Sequence, residues 1–191
     1  SQIYKKNINI DILVNNAASK GTDLKKFFEK VEDYSIQTWD EIININLTGM
    51  FIIAKIFGSK MAIDKKGSII QTSSIYGVSG VDHRIYVGSE YYDMEINTPP
   101  VYSASKAGII GLTKYLSTYW ASSGVRVNTI SPGGVFSGQN KEFVKKYSDR
   151  IPMNRLADKS ELVGTIIFLA SDASSYITGQ NIIVDGGLNA W

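Results

Sequence analysis

Four short apolar runs, each closed by a polar or glycine-bearing cluster, recur along the chain with helical spacing between them. Ile8 to Asn16 ends in Asn15-Asn16-Ala17-Ala18, and Ser68 to Ser73 ends in Thr72-Ser73-Ser74. Val125 to Ile130 stops at Ser131-Pro132-Gly133-Gly134, and Asn181 to Asp185 at Gly186-Gly187. Strands alternating with helices predict parallel strand-helix-strand units, hence an α/β fold with a doubly wound parallel sheet. Ligands of such sheets bind at the carboxyl ends of the strands, where the four clusters converge. The first run reads as a strand buried on both faces.

The helical segments carry their own signals. Thr38-Trp-Asp-Glu41 has a capping-box pattern and predicts a helix to about Met61, with Ile42, Ile43, Leu47, Met50, Phe51, Ala54 and Phe57 forming a broad apolar stripe. A second helix is expected over Tyr102 to Ser122, ended by Gly124, and a third after Asp158-Lys-Ser-Glu161. Between Ser74 and Pro99-Pro100 the sequence is irregular.

The 191 residues include 20 basic and 18 acidic ones, a net charge of +2 that argues against charge-driven binding to nucleic acid or membrane. Without cysteine, and with His83 as the single histidine, neither a thiolate nor an imidazole metal cluster can form, so no metal is expected. No apolar run approaches the roughly 18 to 20 residues that span a bilayer, and a cytoplasmic protein of one domain, residues 1–191, is expected.

Tyr102 and Lys106 lie four apart on a predicted helix, so they share a face. An ammonium beside a phenol favours the phenolate, which suits tyrosine as a proton donor and acceptor. Chance alone would supply about one such pair in a chain with 11 tyrosines, so the motif gains meaning from its position. Ser74, at a strand end, is expected to meet the Tyr102 and Lys106 face in the crevice. Ser103-Ala-Ser-Lys106 also fits a Ser-x-x-Lys hydrolase pattern, but Ser-Asp-Asn and Lys-Thr-Gly are missing. A Ser/His/Asp triad would need His83, which reads as a solvated surface residue. Asn46-Leu-Thr48 has the form of a glycosylation sequon and reads as helix sequence.

In order and position these elements resemble the short-chain dehydrogenase/reductase (SDR) family. The resemblance includes Asn15-Asn-Ala-Ala18, Asn46 in Ile-Asn-Leu-Thr-Gly49, Ser74, Tyr102, Lys106, Pro132-Gly133 and Val184-Asp-Gly-Gly187. It implies a Rossmann-like fold and an oxidoreductase passing hydride between NAD or NADP and a carbonyl or alcohol. By that resemblance Tyr102 exchanges the proton, Lys106 lowers the tyrosine pKa and holds the nicotinamide ribose, Ser74 binds the reacting oxygen, and Asn46 anchors a relay water. It further implies Asn16 and Ala17 along the adenosine side, and Pro132, Gly133, Val135 and Ser137 near the nicotinamide. Homodimers or homotetramers built through the helices after the second and third strands are implied as well.

Ser74 and Tyr102 stand 28 residues apart, wider than usual in the resembled family. The intervening segment is rich in tyrosine and charge, which suits a sugar or sugar phosphate, with Ser74, Arg84 and Tyr86 as candidate substrate contacts. It looks most like reductases of nonulosonic acid synthesis and flagellin modification. A 3-oxoacyl-thioester-type reductase is the alternative. No Gly-x-Gly-x-x-Gly occurs, although dinucleotide phosphates need such a turn. The expectation is therefore an N-terminally incomplete domain; if the chain begins at Ser1, a noncatalytic binding or structural role becomes the rival.

Overall fold

The computed structural model describes residues 9–91 and 93–191, so Ile8, the predicted start of the first strand, lies outside the described residues. The chain runs through β1 (Ile12–Asn15), α1 (Leu24–Phe27) and α2 (Ile36–Ile43), then a π-helical turn, Asn44–Gly49, into α3 (Met50–Ile63). β2 (Gly67–Thr72) is followed by 3-10 turns at Ile75–Gly77 and His83–Tyr86 and by a hairpin of β3 (Glu90–Tyr91) and β4 (Met94–Glu95). Then come α4 (Pro100–Trp120), β5 (Val125–Pro132), α5 (Lys141–Ser148), α6 (Val163–Ala170) and β6 (Asn181–Val184).

The main sheet has the order β1-β2-β5-β6, and every pairing in it is parallel. Adjacent residues of a strand face opposite ways, and β2 shows what that does. Ile69 joins Ala54 and Met61 of α3 with Leu116 and Trp120 of α4. Ile70 instead meets Ile130 and Leu169, the latter from α6. Helices therefore cover both faces, as the alternation of the sequence predicts.

Local chemistry sets the helix ends. Pro100 opens α4 at a position where its missing N–H costs nothing. Gly124 closes it at φ +74°, and a Cβ there would collide with the Lys65 carbonyl. Asp158 and Glu161 form the expected capping box before α6.

Three expectations need correction. The helix before β2 starts earlier than its capping-box pattern suggests: Ser35 is the cap, its Oγ accepting from the Thr38 amide, which places Thr38 inside the first turn. Among the described residues β1 leaves one face, that of Ile12 and Val14, exposed in place of burial on both. The helical run Ile36–Ile63 is long and apolar enough, by length and composition, to cross a membrane. Here it packs Ala54 and Met61 against the sheet and against α4, while Ile52, Ile53 and Ile56 stay exposed.

Candidate active site

β2 delivers Ser73 and Ser74 to the rim of the sheet. Ser74 leaves the strand extended and caps the turn Ile75–Gly77, its Oγ accepting from the Tyr76 amide at 3.2 Å. α4 places Tyr102 and Lys106 one turn apart, with the Tyr102 phenol near enough to the Ser74 hydroxyl for Ser74 to favour its ionised form. Lys106 is 4% exposed; its Nζ donates to the Thr72 carbonyl at 3.0 Å and lies 5.7 Å from the Tyr102 ring centre. The three residues expected to act together do meet.

Burial pushes the Tyr102 phenol above its usual range, the neighbouring Ser74 hydroxyl pulls it back, and Tyr86 raises it. Lys106 is itself buried and committed to a backbone carbonyl. Burial lowers the Lys106 pKa to about 8.

Asn46 lies fully buried in the π turn between α2 and α3. Its Oδ1 accepts from the Ser19 amide at 2.7 Å and its Nδ2 donates to the Ser19 carbonyl at 3.0 Å. Both arms of the amide are thus used to clamp the loop that follows β1. A π turn interrupts the regular helical ladder and is a frequent mark of functional sites. Gly108 of α4 packs against this turn so closely that a Cβ would lie 2.7 Å from Leu47 Cδ2.

Ser74 and Tyr102 open onto a cavity of about 380 Å³. Tyr76, Tyr86, Thr98 and Tyr147 add hydroxyls to its wall, with Tyr86 Oη 2.5 Å from Thr98 Oγ1 and 3.5 Å from Tyr76 Oη. Burial keeps these phenols protonated; that of Tyr147 is pushed up to about 12. Tyr86 lines this cavity. Arg84 does not: its side chain is 89% exposed, and its guanidinium pairs with both carboxylate oxygens of Asp82. That pairing satisfies its charge locally, away from the cavity expected to hold it. His83 is exposed, as expected.

Sequence reasoning missed Lys20, Asn97 and Tyr147, all of which line the cavity. Lys20 was hidden just past the Asn-Asn-Ala-Ala cluster. Tyr147 sits on the unpredicted α5, whose signal was available as Asn140, the cap accepting from the Phe143 amide, with Phe143 and Tyr147 four apart on one face.

The rim also bears on a nicotinamide cofactor. Asn16 and Ala17 are exposed beyond the tip of β1, while Gly133 and Ser137 line the cavity beyond β5. Gly133 is so close to Asp185 that a Cβ would lie 2.8 Å from the Asp185 Cα, which leaves bare backbone at this edge. Lys106 has spent one of its three protons on Thr72 and keeps donors for a diol. These residues fit the nicotinamide half of a dinucleotide. Pro132 ends β5 beside Val184, and Val135 bridges to Ala157; neither lines the cavity.

The family described as enoyl-(acyl carrier protein) reductase matches residues 1–189. The chain belongs to the short-chain dehydrogenase/reductase family. As an SDR protein it is an oxidoreductase of the CH–OH class that depends on NAD or NADP. It is similar to the 3-oxoacyl-[acyl-carrier-protein] reductase FabG of Buchnera aphidicola subsp. Schizaphis graminum, 35% identical over 98% of this chain and 70% of that protein. The 2-dehydro-3-deoxy-D-gluconate 5-dehydrogenase of Bacillus subtilis is 36% identical over 95% of this chain and 65% of its own length. Among solved structures, a short chain dehydrogenase from Leptospira borgpetersenii with bound NAD+ matches at a TM-score of 0.86 and 39% identity, over 98% of this SDR chain and 68% of that one. The narrower expectation of nonulosonic acid synthesis finds no support in these three.

Proposed function

We propose that the protein interconverts a secondary alcohol and a carbonyl on a small sugar-like substrate, with Tyr102, Ser74, Lys106 and Asn46 as its working residues. One observation carries the reading: the Tyr102 phenol, beside Ser74 and backed by buried Lys106, faces a cavity that Ser74 and Tyr102 line together with the hydroxyl-bearing Tyr76, Tyr86, Thr98 and Tyr147. Similarity to a gluconate-type dehydrogenase matches that to the FabG relative, and the phenols of Tyr76, Tyr86 and Tyr147 support a sugar over an acyl thioester.

A bound nicotinamide supplies or accepts the hydride. Tyr102 gives its proton to the carbonyl oxygen in reduction and takes it back in oxidation. Ser74 holds that oxygen with a second hydrogen bond, in a site shielded enough for such bonds to matter. Lys106 holds the ribose hydroxyls with the protons that Thr72 leaves free, and its charge favours the phenolate left once the proton has gone. Asn46 fixes the loop after β1 and anchors a relay water in the opened π turn. Asn16 and Ala17 would face the adenosine side, and Pro132, Gly133, Val135 and Ser137 would flank the nicotinamide.

The reading extends to assembly and place. The exposed apolar side chains Phe51, Ile52 and Ile56 of α3, with Tyr115 and Tyr119 of α4, form the contact of a homodimer or homotetramer in the cytoplasm. The decisive assay follows nicotinamide absorbance with NADH and NADPH against 5-dehydro-D-gluconate and a 3-oxoacyl thioester. Turnover of the sugar acid is expected; turnover of the thioester alone would shift the substrate class, and turnover of neither would defeat the reading.

A further inference from the structure

Among the described residues, the cavity lining combines hydroxyls, apolar side chains and one cation. Among the residues lining it, Lys20 is the sole charged side chain, and no aspartate or glutamate lines it. Lys20 forms no ion pair among the described residues. Its Nζ stands 4.8 Å from the ring centre of Tyr91 and 5.6 Å from that of Phe28, in an exposed residue at the cavity mouth. Two ring faces hold a cation in place without neutralising it.

The backbone around Lys20 is pinned on both sides. Ser19 is clamped by both arms of Asn46, and Gly21 takes φ +79° while donating to Ser19 Oγ at 3.0 Å. Phe28, one of the two rings, is held through its carbonyl by Asn97 Nδ2 at 2.7 Å. Asn97 Oδ1 is buried without a partner among the described residues, in a cavity that Asn97 and Lys20 both line. Desolvation at this mouth lowers the Lys20 pKa, a penalty that a bound anion would relieve.

We propose that Lys20 binds a carboxylate of the substrate, which makes the sugar-like substrate a sugar acid. This rests on the reading that Ser74 and Tyr102 process a sugar-like alcohol in the same cavity. A single ammonium matches a singly charged carboxylate better than a doubly charged phosphate, and the cavity offers no second cation. The anion then sits across the cavity mouth from the reacting oxygen at Ser74, so the charge orients the chain of hydroxyls between the two ends. This role is the one the sequence assigns to Arg84, which Asp82 holds elsewhere.

Calorimetric titration with D-gluconate, its neutral counterpart D-glucitol, and D-glucose 6-phosphate tests this on the parent, Lys20→Met and Lys20→Arg proteins. Gluconate is expected to bind the parent roughly 10- to 100-fold more tightly than glucitol. Lys20→Met should erase that ratio and Lys20→Arg should keep most of it, at unchanged melting temperatures. Equal binding of gluconate and glucitol by the parent, a ratio untouched in Lys20→Met, or tightest binding of the phosphate would each overturn the assignment. Hydride transfer is read separately: its absence with every carbonyl strikes at the oxidoreductase reading, whereas the binding ratio strikes at Lys20 alone.

Discussion

Ser73 Oγ donates to the carbonyl oxygen of Lys106 at 2.7 Å, which ties the end of β2 to the helix carrying Tyr102. The bond is buried, so both partners would be costly to leave unmatched. Gly77 closes over the same spot, with a virtual Cβ 2.7 Å from both the Lys106 carbonyl carbon and Ser73 Oγ. Gly77→Ala must push strand end and helix apart. It is expected to destabilise the protein by roughly 1–3 kcal/mol in denaturant titration and to lower kcat more than it raises KM. A variant as stable as the parent would show that the contact yields freely.

Lys106 gives a pH test with a definite sign. Its pKa is lowered from 10.5 to about 8 by burial, so the folded protein carries the cost of a buried ammonium below about pH 8. Between pH 8 and 10.5 the unfolded chain binds more protons than the folded one, and this group's contribution to stability rises with pH. Lys106→Met removes the cost and is expected to be more stable than the parent at pH 7 by roughly 1–3 kcal/mol, less any loss of the bond to Thr72. The gap should narrow by pH 9.5. Hydride transfer should collapse in the same variant. A gap that widens with pH would contradict the assignment of Lys106 as a buried cation.

The sheet and the grouping of Ser74, Tyr102 and Lys106 were legible because each depends on local pattern. Apolar runs stopped by polar clusters mark β2, β5 and β6, and the Tyr102 to Lys106 spacing defines one helix face. The opposing pulls on Tyr102 were not legible, since they depend on how deeply α4 is packed. Arg84 looked like an anion contact because sequence does not reveal that Asp82, two residues before it, folds back onto its guanidinium. Lys20 was overlooked for the converse reason: its partners, Phe28 and Tyr91, come from distant segments.

Arg84→Ala checks the corrected assignment directly. With its guanidinium turned to Asp82 and to solvent, the variant should keep kcat/KM for a sugar acid within roughly twofold of the parent. A tenfold rise in KM would return Arg84 to the substrate side.

The most direct test of the account is the rate of nicotinamide-dependent carbonyl reduction by Tyr102→Phe against the parent, with cofactor affinity and melting temperature measured alongside. Removing one hydroxyl should leave the fold and cofactor affinity intact and cut kcat by roughly 10²- to 10⁴-fold. A Tyr102→Phe protein that reduces the carbonyl at the parental rate would contradict the assignment of Tyr102 as the proton donor.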